Sequence, residues 1–264
     1  MRVGIIGGGV MGEAILGAAL EQGLFGATET VVAEIVQARR EALAATHGVS
    51  TTASASEAMD GAELVLLCVK PQEVTSARGA VASGALLASI LAGVRIATLA
   101  SEFGHDRIVR IMPNTPLAVK AGMSVWTATE AVSAEQRATM GRLLGSFGRE
   151  IFVEDEKKID MATALSGSGP AYVFLFIEAM VEGGVAIGLT RAQAQEMALQ
   201  TVLGSAKYAL ESGRGPGELR GQVTSPAGTT AAGLLEMEKG AIRATIIEGI
   251  RAAHRRAMEL GGPT

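Results

Sequence analysis

Residues 3–15 read VGIIGGGVMGEAI, and this stretch decides the fold. Gly7, Gly9 and Gly12 have the spacing G-x-G-x-x-G, directly after an apolar run and before a helical pattern. In a dinucleotide-binding turn the first glycine permits the tight turn, the second admits a pyrophosphate, and the third lets helix and strand pack closely. The amides at the helix N-terminus then face the phosphates. A glycine-rich turn of another doubly wound protein is the alternative, and the position in a βαβ unit favours the dinucleotide site.

Short β-branched runs alternate with helical patterns as far as about residue 153, which is typical of βαβ units on a parallel sheet. Strands are predicted at 2–6, 30–34, 63–69, 85–90 and 107–112. Helices are predicted at 11–22 and 36–46, after Pro71, and from Ser133, where Gln136 completes a capping box. The remaining sequence is helical. We therefore predict an α/β Rossmann domain with a mainly parallel sheet over residues 1–153 and an all-α domain over 154–264.

Composition narrows the class of protein. The 23 basic and 27 acidic residues leave no basic field for nucleic acid or anionic lipid, and 3% aromatic residues exclude a stacking platform for single strands. The single Cys68 lies in an apolar run, which indicates a reduced, cytoplasmic protein. MRVGIIGGG enters a predicted strand at once, so we expect no signal peptide. GALLASILAGV stops at Arg95, short of the roughly 20 residues that cross a bilayer, so we expect no membrane span.

Glu34 ends the second predicted strand, where an acidic side chain can accept hydrogen bonds from the adenosine ribose. This position favours NADH. Arg39 and Arg40 follow shortly and offer either contacts to the 2′-phosphate of NADPH or two solvated surface cations. The sequence leaves the choice between the two cofactors open.

Two further loops end predicted strands over the crevice where open α/β sheets bind ligands. Lys70 and Pro71 follow the strand at 63–69, and the lysine can meet a phosphate or ribose or be solvated. Asn114 lies between two prolines, which stiffen the loop enough to position an amide near a nicotinamide or substrate. A purely structural turn is the alternative there.

The helical half contains two segments of glycines and hydroxyls, LSGSGPAYVF (165–174) and VTSPAGTT (223–230). Such segments can bind a carboxylate, although each alone fits a capped helix start. An acid for ketone reduction and a metal site are both lacking: we interpret His47, His105 and His254 as surface residues. Hydride transfer to a C=N bond fits this composition, because an imine is basic enough to arrive protonated.

The segment 171–187 is apolar on most faces, apart from Glu178 and Glu182. A small helical domain can seldom enclose such a helix alone. We therefore expect a dimer that shares helices.

These motifs resemble the pyrroline-5-carboxylate reductase family from Arg2 to about Gly261. The likeness is carried by GIIGGGVMGEAI, CVKPQ, IVRIMPNTP, ALSGSGPAYVF, GLTRAQA and LRGQVTSPAGTTAAGLLEME. The resemblance implies NADPH or NADH as cofactor, reduction of 1-pyrroline-5-carboxylate to L-proline, and a homodimer that can assemble into a decamer. It implies that Thr230 is catalytic and bonds the ring nitrogen, with Ser225, Gly228 and Thr229 at the carboxylate. The predicted cofactor residues are Gly7, Gly9, Val10, Met11, Gly12, Glu34, Cys68, Val69, Lys70, Pro71 and Asn114.

The sequence departs from the family pattern at a few positions. Ala227 replaces a glycine in the S-P-G-G-T-T stretch, and alanine tolerates positive φ less easily. Ile90 and Leu91 replace smaller residues, and Glu34 replaces the asparagine or serine of members that accept NADPH. Two other functions stay open from the residues alone. One is a β-hydroxyacid dehydrogenase, whose lysine acid is missing here, and the other is a non-catalytic dinucleotide sensor that signals through its dimer interface.

Overall fold

The computed structural model describes residues 1–262, and within them eight strands form one sheet. The strands are β1 (Val3–Ile6), β2 (Thr30–Ala33), β3 (Ser50–Thr52), β4 (Leu64–Leu67), β5 (Leu86–Ser89), β6 (Ile108–Met112), β7 (Gly122–Ala128) and β8 (Gly148–Phe152). Their order is β3-β2-β1-β4-β5-β6-β7-β8. Only the β6–β7 pair is antiparallel among these strands. The order reverses at β1, which is where doubly wound sheets bind their ligands.

Helices connect the strands and then form the C-terminal part. They are α1 (Val10–Glu21), α2 (Gln37–His47), α3 (Ala55–Met59), α4 (Ile96–Phe103), α5 (Ala134–Gly145), α6 (Lys157–Ala162), α7 (Gly169–Ala186), α8 (Arg191–Ser212), α9 (Pro216–Gln222), α10 (Thr229–Lys239) and α11 (Ile242–Leu260). The capping boxes at Ser133 and Thr190 both form, so these two helices begin where hydroxyl and amide side chains satisfy the first free amides.

Alternating side chains of the central strands fill two cores, one on each face of the sheet. In β4, Leu64 and Leu66 pack with α1 and α5 on one face, whereas Val65 and Leu67 pack with α3 and α4 on the other. A strand buried on both faces reads as a continuous apolar run, which LVLL does. Each such leucine contributes about 2 kcal/mol of burial free energy. The sheet is therefore a rigid support for the loops at its carboxyl edge.

The chain divides into two compact units. The first comprises Met1–Ser168 together with the residues from Ala253 onward, and the second is Gly169–Ala252. Helix α6 belongs to the first unit because Ile159 packs with Val125 of β7. These units are defined by compactness. The division into a cofactor-binding domain at 1–153 and a helical domain at 154–264 stays a prediction.

The second unit leaves most of its apolar side chains exposed. Its buried cluster consists of Val181, Ala194 and Ala198, whereas Phe174 and Leu175 of α7 are 59% and 67% exposed. The helical run Lys157–Ala186 is even long and apolar enough, by length and composition, to cross a membrane. Much of this run belongs to the apolar segment 171–187, from which the sequence predicts a dimer, although no membrane span was expected. An apolar face of this size marks a surface that another molecule covers.

Two local predictions were wrong, and two strands were missed. Pro71 begins a 3₁₀ turn, Pro71–Glu73, rather than an α-helix. Strands β3 and β7 were not predicted. His105 is buried rather than on the surface, and its Nε2 lies 3.0 Å from the carbonyl oxygen of Ala85.

Candidate active site and cofactor cleft

Two of the three glycines in the G-x-G-x-x-G motif have no room for a side chain. Gly7 has φ +104°, and a Cβ there would lie 2.8 Å from the backbone of Cys68 and Val69. A Cβ on Gly12 would lie 2.1 Å from the carbonyl oxygen of Gly7. Glycine at these positions is therefore required for the turn to pack against β4 and for α1 to start beside it.

Gly9 is different, because a Cβ there would meet no atom within 4 Å. It precedes the first residue of α1, and no side chain caps this helix end. The first amides of α1 therefore keep their N–H groups available, in front of open space. That combination fits a pyrophosphate, which needs close approach to the backbone and amide donors at a helix N-terminus.

A cleft of about 350 Å³ opens beside this turn, at the carboxyl ends of β1, β2 and β4. Its wall includes six of the predicted cofactor residues: Gly7, Gly9, Glu34, Cys68, Val69 and Lys70. Five others lie outside this wall: Val10, Met11, Gly12, Pro71 and Asn114. The cleft therefore brings together predicted cofactor residues from three separate segments of the chain.

Glu34 lies in the wall and is fixed by backbone amides. Its Oε2 accepts a hydrogen bond from Gly8 N–H at 3.1 Å, and its Oε1 accepts one from Val36 N–H at 2.9 Å. A carboxylate oxygen has two lone-pair sites, so each oxygen can accept a further bond from a ribose hydroxyl. Glu34 therefore presents a preset negative charge to the cleft.

The two arginines that follow Glu34 are already bonded. Arg39 Nη2 donates to the carbonyl oxygen of Gly8 at 2.5 Å and to Glu13 Oε2 at 2.8 Å. Arg40 Nη1 donates to the carbonyl oxygens of Glu34 and Ile35, at 2.7 and 2.9 Å. Neither side chain is the freely solvated cation that the sequence suggested as one alternative.

Cys68 lies in the wall opposite the third glycine, with its Cβ 3.2 Å from the position of a Cβ on Gly12. Burial raises the pKa of its thiol to about 12, because the thiolate would lose its hydration. The side chain is therefore a neutral packing group. Lys70, two residues later, is exposed at the rim of the cleft.

Asn114 holds two separate chain segments together. Its Nδ2 donates to the carbonyl oxygen of Ser166 at 3.0 Å, and its Oδ1 accepts from Met123 N–H at 2.8 Å. Ser166 lies in a π-helical turn, Thr163–Gly167, and such turns occur mostly at functional sites. The hydroxyls of Ser166 and Ser168 donate to backbone carbonyls of the same region. Asn114 thus fixes the turn that precedes α7.

The second hydroxyl-rich segment lies between α9 and α10. Gly228 precedes α10 without a side-chain cap, so the amides of Thr229 and Thr230 begin a helix whose N-terminus is uncapped by side chains. A Cβ on Gly228 would lie 2.4 Å from Ser225 Oγ. Ala227 has φ 57°, in the left-handed region. The four predicted substrate residues therefore lie in one turn, in which glycine at 228 leaves room for the Ser225 hydroxyl and the alanine before it is strained.

Sequence reasoning missed two groups of residues. Glu13 bonds Arg39 across 26 positions, and Arg110 pairs with Glu156 and Asp160 across 46 and 50. The only signal for Glu13 is its place in the first turn of α1, where an acidic residue is ordinary. No spacing rule reveals a contact between such distant positions.

Comparison with known proteins identifies the family. Residues 156–260 match the family described as pyrroline-5-carboxylate reductase dimerisation, and residues 2–93 match the one described as NADP oxidoreductase coenzyme F420-dependent. A pyrroline-5-carboxylate reductase from Synechocystis is 44% identical, over 99% of this chain and 98% of its own. The chain belongs to the pyrroline-5-carboxylate reductase family.

Solved structures of this family share the fold. A pyrroline-5-carboxylate reductase from Coxiella burnetii matches with a TM-score of 0.88 at 33% identity, over 99% of both chains. The pyrroline carboxylate reductase of Plasmodium falciparum, solved with NADP bound, matches with a TM-score of 0.88 at 26% identity, over 99% of this chain and 98% of that one.

Membership in the pyrroline-5-carboxylate reductase family confirms several predictions. The fold class is a mainly parallel α/β NAD(P)-binding sheet followed by an all-helical dimerisation domain. The enzyme is a pyrroline-5-carboxylate reductase, and its reaction is the final step of proline biosynthesis. The roles of individual site residues stay predictions.

Proposed function

We propose that this chain reduces the C=N bond of 1-pyrroline-5-carboxylate to give L-proline, with NADH or NADPH as the hydride donor. The observation that carries the proposal is the turn at Gly7, Gly9 and Gly12, which opens an uncapped helix N-terminus onto a cleft of dinucleotide-binding type. The family relation over nearly the full chain supports the same reaction.

The reaction needs no acid from the protein. A reduced nicotinamide, when bound, would supply the hydride for the new C–H bond and be oxidised, and the C=N π electrons of the protonated imine would become the nitrogen lone pair of the product amine. The residues orient the substrate and stabilise its charge. His47 and His105, the two histidines in the first unit's loops and helix ends, are engaged with Glu13 and with the Ala85 carbonyl. These contacts support a mechanism in which the substrate brings its own proton.

The substrate is held by the turn before α10. The Thr230 hydroxyl oxygen accepts a hydrogen bond from the protonated ring nitrogen, and Ser225, Gly228 and Thr229 bind the carboxylate through hydroxyls and amides. The support is the uncapped start of the 11-residue helix α10, because helix N-termini favour carboxylates. The motif VTSPAGTT, which carries most of the family likeness, forms this turn.

NADH is the preferred donor. Glu34 holds a negative charge where the adenosine ribose binds, and a carboxylate accepts bonds from the two ribose hydroxyls but repels a 2′-phosphate. The partners of Arg39 and Arg40 support this preference, since Arg39 Nη2 donates to Gly8 and Glu13 and Arg40 Nη1 donates to two backbone carbonyls. Glu34→Gln, which removes the charge, tests this choice by the ratio of kcat/KM for NADPH to that for NADH.

A second copy of the chain covers the apolar face of α7. The exposed side chains Phe174, Leu175 and Phe176 support a homodimer, and assembly of dimers into a decamer is compatible with it. We place the dimer in the cytoplasm. Light scattering at micromolar concentration measures the molar mass and so tests the dimer. A monomeric mass for protein that is soluble without detergent contradicts it.

The activity is tested by following reduced nicotinamide in the presence of 1-pyrroline-5-carboxylate. Turnover separates a reductase from a dinucleotide sensor, which binds the cofactor without consuming it. A β-hydroxyacid dehydrogenase would instead oxidise a hydroxyacid with the oxidised cofactor.

A further inference from the structure

Glu13 lies in the first turn of α1, one residue after the third glycine of the turn. Its carboxylate accepts a hydrogen bond from Arg39 Nη2 at 2.8 Å and lies 3.4 Å from Nε2 of His47. The guanidinium of Arg39 lowers the pKa of Glu13, with a smaller effect from His47. Glu13 is not part of the cleft wall, and the mechanism above does not use it.

Arg39 and Glu34, the predicted ribose-binding carboxylate, both bond to the same residue, Gly8. Arg39 Nη2 binds the carbonyl oxygen of Gly8, while the N–H of the same glycine binds Glu34. The guanidinium of Arg39 therefore binds the carbonyl group of Gly8, and the carboxylate of Glu34 binds its amide group. The side chain of Arg39 is 38% exposed, so it has room to swing out when a partner is removed.

A 2′-phosphate beside Glu34 requires a compensating cation, because two negative groups at contact distance repel each other. Arg39 would supply it by moving from Gly8 and Glu13 toward the cleft, since guanidinium groups bind phosphates bidentately. Glu13 opposes this movement in two ways: it neutralises the charge of Arg39, and it holds Nη2 through a hydrogen bond of 2.8 Å. Arg40 is held differently, because its Nη1 donates to the backbone carbonyls of Glu34 and Ile35, which a change at Glu13 does not remove.

We propose that Glu13 is a specificity-determining residue that acts through Arg39, restraining the guanidinium and so lowering the affinity for a 2′-phosphate. This proposal rests on the proposed use of a nicotinamide dinucleotide. Loss of Glu13 lets Arg39 bind the 2′-phosphate of NADPH. NADH has no such phosphate and gains no contact. Any effect of the Glu13 charge on the pyrophosphate is common to both cofactors and cancels in their ratio.

The test is a double-mutant cycle with Glu13→Gln, Arg39→Gln and the double variant. Each is measured by steady-state kinetics with NADPH and NADH and by equilibrium titration with NADP⁺ and NAD⁺. Glu13→Gln should raise the NADPH-to-NADH ratio of kcat/KM about tenfold, mainly through the KM for NADPH. In the Arg39→Gln background the same change should leave the ratio within about twofold. Glu13→Asp, which keeps the charge, should restore most of the wild-type ratio.

Glu21→Gln is the matched control, because Glu21 lies on the same helix and pairs with Lys120 instead. It should leave the ratio unchanged. The proposal is overturned if Glu13→Gln does not change the ratio, or if the change is as large in the Arg39→Gln background. If the protein binds dinucleotides but does not reduce 1-pyrroline-5-carboxylate, the proposed function fails, and the titrations still decide the role of Glu13.

Discussion

Arg110 and Asp160 form a buried ion pair, with Arg110 Nη2 at 2.7 Å from Asp160 Oδ1. Arg110 lies on β6 and is 1% exposed. Its Nη1 also binds Glu156 Oε1 at 2.9 Å, and the same oxygen accepts the N–H of Ile96 at the start of α4. Together these bonds tie α6 and the start of α4 to β6, the strand that leads into the Asn114 loop.

Arg110→Met should lower the free energy of unfolding by about 3–5 kcal/mol, because it leaves the Asp160 carboxylate buried without its cation. Urea unfolding followed by circular dichroism measures the change. Arg191→Met is the control, since the Arg191–Glu182 pair is well exposed and should cost less than about 1 kcal/mol. Equal losses in both variants would contradict the importance of burial.

Ala227→Gly should stabilise the protein by about 0.5–1 kcal/mol. The left-handed backbone of Ala227 costs roughly 1–2 kcal/mol, and the greater freedom of glycine in the unfolded chain takes back part of the gain. The melting temperature should rise by about 1–4 °C. Ala241→Gly, at φ 54° outside the substrate turn, should give a similar rise. A drop in melting temperature for Ala227→Gly would show that the turn is not strained.

Thr230→Ala should lower kcat/KM for 1-pyrroline-5-carboxylate by about 10- to 100-fold, the usual cost of one hydrogen bond to a charged group. The melting temperature should stay close to that of the wild type. Thr224→Ala serves as the comparison, because the Thr224 hydroxyl donates to the Arg220 carbonyl. A wild-type rate for Thr230→Ala would remove this residue from the site.

Cys68 should resist alkylation in the folded protein at about pH 8, where ordinary thiols react readily. Burial raises its pKa to about 12, so the thiolate is scarce until the chain unfolds. Because the pKa of Cys68 is higher in the folded protein than in the unfolded chain, its neutral thiol stabilises the fold at pH values below the unfolded pKa. This contribution is lost as the pH rises from 9.0 toward about 12. Mass spectrometry after iodoacetamide treatment, with and without urea, measures the protection, and rapid labelling of the folded protein would refute it.

The sequence predicts those features that depend on neighbouring residues. Gly7 and Gly12 are required by sterics within a single turn, and the capping box at Ser133 needs only a partner three positions on. The αL strain at Ala227 follows from one residue type at one position of a known turn. These features are local, so one sequence contains all the information for them.

Features that depend on distant contacts could not be predicted. A histidine next to a glycine looks like a surface loop, yet the fold buries His105 against Ala85. Arg110 lies within an apolar strand, and only the position of α6 shows which carboxylates neutralise it. The 3₁₀ turn after Pro71 and the short strand β3 fail for another reason, because three-residue elements carry too little periodicity to detect.

The most direct test of the account follows NADH and L-proline together in one reaction with 1-pyrroline-5-carboxylate and the purified protein. We expect NADH to be consumed and proline to be formed in equal amounts, at a rate that depends on the imine concentration. Consumption of NADH without proline, or none of either at saturating imine with both cofactors, would contradict the central claim.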